Sequence, residues 1–168
     1  MLNASNMNAY IGLGSNLGDR AGNLLLGIRG LMTTGLEVSR LSSIYETEPV
    51  ETFAQPPFLN MVAEVRGSSL PLPEELMTRL LEIESSLGRT RVVAMAPRTL
   101  DLDLLLCGEH VSDTISLTLP HPRFHLRRFV LVPLAELAPN LVHPTLEKTM
   151  YELLKALEDH SAVKAWSP

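Results

Sequence analysis

Leu36-Glu37-Val38-Ser39-Arg40-Leu41-Ser42-Ser43-Ile44-Tyr45 and Phe58-Leu59-Asn60-Met61-Val62-Ala63-Glu64-Val65-Arg66 are two strand patterns separated only by a loop. In the second, Leu59, Met61, Ala63 and Val65 take one face. Phe58, Asn60, Val62 and Glu64 take the other, with the period of two that a strand imposes. The first alternates less regularly, through Leu36 and Val38 and then Ser39, Leu41, Ser43 and Tyr45. Pro49, Pro56 and Pro57 keep residues 46–57 out of any regular element. Strands joined directly, not through a helix, point to an α+β fold with a mostly antiparallel sheet.

The flanking sequence fits that frame. Ala9 to Gly14 is a short buried strand closed by Gly14-Ser15-Asn16. Arg20 to Thr34 carries Leu24, Leu25, Ile28, Leu31 and Met32 at helical spacing until Gly35 stops it. Pro71 and Pro73 introduce a helix through Leu87, with Leu76, Leu80, Ile83 and Leu87 on one face and Gly88 as its C-cap. Thr99 to Leu106 is a strand, with a return strand expected near His110 to Ser112. Phe129 to Leu137 is a short helix with Pro133 expected in its first turn or at its beginning, and Lys148 to Leu157 is a last amphipathic helix. The 168 residues suit one domain, with residues 1–8 and 159–168 expected to fray.

Composition narrows the function classes. Apolar residues are 45% and charged residues 20%, enough core and too little charge for wholesale disorder. Fourteen basic residues against 19 acidic give a net charge of −5, which opposes nucleic acid as the main partner but allows a small anion on a local Arg cluster. The single Cys107 makes no intrachain disulfide and suits a reducing cytoplasm. No apolar run approaches the roughly 20 residues that span a bilayer, so a soluble protein is expected.

The strongest chemical signal is Pro97-Arg98-Thr99-Leu100-Asp101-Leu102-Asp103-Leu104. Residues two apart in a strand share a face at roughly 6.6 Å, so Asp101 and Asp103 project together while the leucines face the core. Two carboxylates side by side repel unless a cation lies between them, and hard oxygen ligands suit Mg²⁺. Arg89, Arg91 and Arg98 lie within ten residues of one another, with Arg127 and Arg128 further on. Guanidinium groups fork onto phosphate, and carboxylates for metal with arginines for phosphate is a layout for phosphoryl transfer. Gly12-Leu13-Gly14-Ser15-Asn16-Leu17-Gly18 lacks the Lys-Ser/Thr of a Walker loop and reads as a strand-to-helix turn needing glycine for close packing. His121 and His125 are four apart, but Pro120 and Pro122 exclude a helix there, so a solvated or phosphate-contacting His fits better than a zinc pair. Phe58 and Asn60 share a face, a ring beside an amide, as in a heterocycle pocket.

Gly14-Ser15-Asn16-Leu17-Gly18, Phe58-Leu59-Asn60, Pro97-Arg98-Thr99-Leu100-Asp101-Leu102-Asp103 and Pro120-His121-Pro122-Arg123 occur in this order. From about Ala9 to Leu157 the chain resembles the 6-hydroxymethyl-7,8-dihydropterin pyrophosphokinases of folate biosynthesis. The resemblance implies a ferredoxin-like fold, a monomer, and transfer of pyrophosphate from ATP to the pterin hydroxymethyl group, leaving AMP. It implies that Asp101 and Asp103 hold two Mg²⁺ ions and that Arg89 and Arg98 hold phosphates. Arg91, His121 and Arg127 would add ATP contacts, with Leu104 and Thr118 near adenine. The pterin would lie between Phe58 and Phe129, read by Asn60, with backbone contacts from Thr47 and Val50.

The chain departs from that family in the loop before Arg98. Members commonly carry an Arg-Trp there; here the loop reads Val92-Val93-Ala94-Met95-Ala96-Pro97, about a residue shorter than in some relatives, and is expected to be a mobile lid. Phe58 stands where tyrosine is common. Two rivals remain on sequence grounds: a metal-dependent nuclease, opposed by the net charge, and a non-catalytic ligand-binding module, which leaves the Asp pair idle.

Overall fold

A computed structural model describes residues 7–49, 55–67, 70–88 and 97–168. Three long strands carry the sheet: β1 (Met7–Ser15) and β4 (Phe58–Gly67) lie inside it and β5 (Asp101–Cys107) forms one edge. The first strand pattern is split in two, β2 (Glu37–Leu41) and β3 (Tyr45–Thr47). Both pair with β4, at opposite ends of its length, so one long strand serves two short neighbours. The order is β5-β1-β4-β3, every pair antiparallel. With helices α1 (Arg20–Thr33) and α2 (Pro73–Ser86) between the strands, this is the ferredoxin-like α+β arrangement.

Parity divides the core. Ile11, Leu13, Leu59, Met61, Ala63, Val65, Leu102 and Leu104 point down and bury Leu24 and Leu31 of α1 with Leu76, Leu80 and Ile83 of α2. On the other face Tyr10, Val62, Leu105 and Leu106 pack under α3 (Arg128–Leu137) and α4 (Met150–Ala156). Burying each of these leucines removes a side chain from water for about 1.5–3 kcal/mol, offset by the ordering of the chain. Adjacent residues Leu105 and Leu106 share a face because the β1 register slips between Tyr10 and Ile11: Ile11 pairs with Leu104 and Tyr10 with Leu106, leaving Leu105 as a bulge.

Several expectations are corrected. Pro133 stands in the interior of α3, not its first turn, and is itself buried against the core. Residues 112–113 (β6) pair with 118–119 (β7) in a separate ladder and do not return onto β5. The tail does not fray throughout: β8 (Val163–Ala165) pairs with β3, and the Trp166 amide donates to the Ile44 carbonyl. Met7 and Asn8 are already part of β1. Helix ends follow local chemistry. The Asp19 carboxylate accepts the Gly22 N–H at the start of α1, and Thr149 with Glu152 forms a capping box on α4. Leu87 caps α2, with Gly88 just beyond it at φ +81°.

Glu64 is a charged side chain buried on the upper face, 1% exposed. Arg40 grips it with Nε on Oε1 at 3.2 Å and Nη2 on Oε2 at 2.6 Å. The Ser39 and Tyr10 hydroxyls donate to it at 2.7 and 2.8 Å. The Arg40 hydrogen bonds, opposed by burial and aided by Ser39 and Tyr10, hold this carboxyl down at about 2 against an ordinary 4.5. A depressed carboxyl stabilises the fold above its unfolded pKa and loses that contribution as pH falls through its folded value. Glu64→Gln should therefore cost on the order of 3 kcal/mol near neutrality, from the size of the shift. Urea unfolding of wild type and variant should show that difference closing between pH 4.5 and pH 2. A difference that is constant with pH would remove the charge from the explanation.

Candidate active site

The site is built on the upper face of the sheet at its β5 end. Asp101 and Asp103 alternate with Leu102 and Leu104, so both carboxylates rise on one face while the leucines anchor the strand below. Register then fixes two rows across the sheet. Asp101 pairs with Gly14, and Gly14 with Asn60; Asp103 pairs with Gly12, and Gly12 with Val62. Gly12 and Gly14 thus form a floor without side chains between the carboxylates and the amide. At Gly14 the need is steric, since a Cβ there would lie 2.8 Å from Asn60 Oδ1.

Above this floor is a cavity of about 130 Å³. Thr47, Phe58 and Asn60 line one side, Arg98, Asp101 and Asp103 another, and Arg127 and Phe129 the roof. Asn60 is buried, and its Nδ2 donates to Thr47 Oγ1 at 2.6 Å, which fixes the amide's orientation. Phe129 lies in the first turn of α3, with the Arg127 guanidinium 5.7 Å from its ring centroid. Arg98 Nη1 meets Asp101 Oδ2 at 2.6 Å, with both side chains about one-fifth exposed (23% and 18%).

His121 follows the Leu119–Pro120 bond, and its N–H donates to the carbonyl of the bulged Leu105 at 2.9 Å. Burial first, then the Arg127 charge, push its imidazole down to about 4; Asp101 opposes this and Arg123 adds to it. The side chain is therefore neutral at neutral pH and faces both Arg127 and Asp101.

The structure brings together Thr47, Phe58, Asn60, Arg98, Asp101, Asp103, Arg127 and Phe129 in one cavity, with His121 in electrostatic reach. It separates two others. The Leu104 side chain is in the lower core, on the face of β5 away from the carboxylates. Thr118 lies half-buried in β7, paired with Asp113, and does not line the cavity. Arg89, Val50, Arg91 and the loop expected to act as a lid fall outside the described residues.

Two contributors were missed. Glu84, 1% exposed on α2, accepts the Leu102 N–H at 2.7 Å and so supports β5 between the two aspartates. Its signal was available: it lies four residues after Leu80, on the apolar stripe where a charge has no ordinary place. Asn16, read only as a turn residue, is also 1% exposed.

Asp101 and Asp103 offer only carboxylate oxygens, and among the described residues no group of three His, Cys, Asp or Glu could hold a metal. A two-carboxylate set fits Mg²⁺, which takes one or two carboxylates and fills its remaining positions with phosphate oxygens and water. Cys107 is buried, and burial with the Glu74 charge pushes its thiol up to about 11, so it supplies no nucleophile.

A carboxylate pair and guanidinium groups facing an aromatic and amide pocket, on a ferredoxin-like sheet, suit phosphoryl transfer to a flat acceptor. Residues 10–139 match the family model of 7,8-dihydro-6-hydroxymethylpterin-pyrophosphokinase, and the chain belongs to that family. It is 43% identical over 159 residues to the 2-amino-4-hydroxy-6-hydroxymethyldihydropteridine pyrophosphokinase of Bacillus subtilis, covering 94% of this chain and 89% of that one. The enzyme of the same name from Haemophilus influenzae is 37% identical, with 93% and 96% covered. The wild-type HPPK-DHPS of Plasmodium falciparum shares the fold at a TM-score of 0.67 and 13% identity, over 90% of this chain and 44% of that longer one. No helix among the described residues is long and apolar enough to cross a membrane.

Proposed function

We propose that the chain transfers the terminal pyrophosphoryl unit of ATP to the hydroxymethyl group of 6-hydroxymethyl-7,8-dihydropterin, leaving AMP. Its family makes it an ATP-dependent pyrophosphokinase of folate biosynthesis. The observation that carries the finer reading is the shared cavity: the carboxylate pair and the Asn60 amide face each other across the glycine floor.

Asn60 reads the polar edge of the pterin, held by Thr47, while Phe58 and Phe129 supply the apolar walls that suit a flat ring. Val50, three residues after Thr47, adds a backbone contact. Arg98 and Arg89 hold the phosphates, with Arg91, Arg127 and His121 as further ATP contacts. With Nδ1 accepting the Arg123 N–H at 3.2 Å, a neutral His121 offers its Nε2–H as a donor without adding charge. Asp101 and Asp103 would hold two Mg²⁺ ions, which would supply positive charge to offset that of the triphosphate. The acceptor hydroxyl is positioned by the pterin pocket, so orientation replaces a covalent intermediate. The protein works as a cytoplasmic monomer without nucleic-acid or membrane partners, in keeping with its acidic balance and lone buried cysteine.

The test is AMP release from Mg-ATP with and without the pterin. AMP formed in proportion to added pterin supports the reading. Hydrolysis of ATP that ignores the pterin, or no AMP at all, would sink it.

A further inference from the structure

We propose that Asn16 is a positioning residue that holds the phosphate side and the pterin side of the cavity in register. The proposal rests on the functional reading above. Asn16 occupies the turn between β1 and α1, where it is almost wholly buried. Its backbone N–H donates to the Arg98 carbonyl at 3.1 Å, and its Oδ1 accepts the Arg98 N–H at 2.8 Å. Its Nδ2 donates to Gln55 Oε1 at 3.1 Å and to the Pro56 carbonyl at 3.4 Å. One side chain therefore reaches two segments more than 40 residues apart in sequence, 55–56 and 98.

Those segments carry the two halves of the site. Arg98 lines the cavity and pairs with Asp101 at the entrance to β5. Gln55 lines the cavity on the other side, and the chain runs from it through Pro56 and Pro57 into Phe58 and Asn60. The turn that bears Asn16 is itself braced, since Asn23 of α1 donates to Ser15 Oγ at 3.2 Å and to the Leu17 carbonyl at 2.8 Å. Arg20, the first residue of α1, donates to the Pro57 carbonyl at 2.9 Å and adds a second tie to the pterin-side loop. Asn16 is thus a fixed point from which both arms are set.

The chemistry selects asparagine. The position needs one acceptor for the Arg98 amide and two donors for oxygens at 55 and 56, and an amide is the shortest side chain that offers both. Aspartate keeps the acceptor but sets a carboxylate oxygen against the Pro56 carbonyl, which can only accept, and obliges the Gln55 amide to turn end for end to stay bonded. Alanine removes both arms. The two variants therefore separate the two sides of the cavity.

The experiment measures turnover, KM for each substrate, and calorimetric binding of a non-hydrolysable ATP analogue and of a pterin analogue, for wild type, Asn16→Ala and Asn16→Asp. Asn16→Asp should weaken pterin binding about tenfold or more while nucleotide affinity stays within about threefold. Asn16→Ala should weaken both and lower turnover about 10- to 100-fold. If Asn16→Ala does not fold, the pterin-selective loss in Asn16→Asp carries the test alone. Equal losses for both ligands in Asn16→Asp, tracking its fall in Tm, would reduce Asn16 to a structural residue and overturn the proposal. So would wild-type affinities in either folded variant. Hydrogen exchange at the Arg98 amide in ligand-free protein reads the clamp separately from the function: it should quicken in Asn16→Ala and stay slow in Asn16→Asp. Wild-type protein that binds neither analogue would instead overturn the functional reading, with the proposal falling as its dependent.

Discussion

Purified Asp101→Asn and Asp103→Asn should each lose turnover by a factor on the order of 10²–10³ or more, by comparison with other electrostatic transition-state contacts. Both side chains rise from alternate positions of β5 into one cavity, and Leu102 between them is locked in the lower core. Asparagine keeps the shape and one oxygen but removes the charge that a cation would balance. The fold should be little affected, because neither carboxylate belongs to the packed core and the Leu102 backbone keeps its Glu84 partner. Circular dichroism and thermal melts check the fold, and AMP release checks turnover. Near-normal activity in either folded variant would end the metal-site assignment. For Asp101→Asn the Arg98 ion pair is also lost, so nucleotide affinity should change more there than in Asp103→Asn.

The second large effect belongs to the glycine floor. Gly14→Ala places a methyl 2.8 Å from Asn60 Oδ1, closer than real Cβ contacts come. The amide must rotate, and the 2.6 Å bond to Thr47 goes with it. The cost to pterin binding should match that of deleting the amide in Asn60→Ala, roughly 1–3 kcal/mol for unpaired polar groups in a buried site. That is about 5- to 150-fold in affinity. Calorimetry with a pterin analogue measures it for both variants, and the double variant should be no worse than either single one, since both act through the same amide. Additive losses would show that Gly14 acts by some route other than Asn60. Binding of an ATP analogue should change far less.

Much of this site is legible in the sequence because strand parity is a strong rule. Asp101 with Asp103 and Phe58 with Asn60 are placed on their faces by a period of two, and the structure puts both pairs in one cavity. What parity cannot supply is the lateral register that sets Asn60 opposite Gly14 and Gly14 opposite Asp101. The bulge at Leu105 is equally silent in the sequence, since Leu104, Leu105 and Leu106 are the same residue type. Asn16 hides because asparagine after Gly-Ser reads as a turn former, while its long-range bonds exist only once the chain has folded. β8 hides for a similar reason: three residues have too little pattern of their own, and their partner β3 lies more than 100 residues earlier. Glu84 and Glu64 were readable in principle as charges on faces otherwise given to the core, and each is accounted for by a specific donor.

The Glu84 bond has a consequence for how the molecule behaves in a crowd. β5 ends the sheet, so the outward amide of Leu102 is the kind of unpaired donor onto which a strand of another chain can add. The α2 carboxylate already occupies that donor from within the same molecule. The strand that carries the carboxylate pair is thereby shielded in its middle against edge-to-edge aggregation.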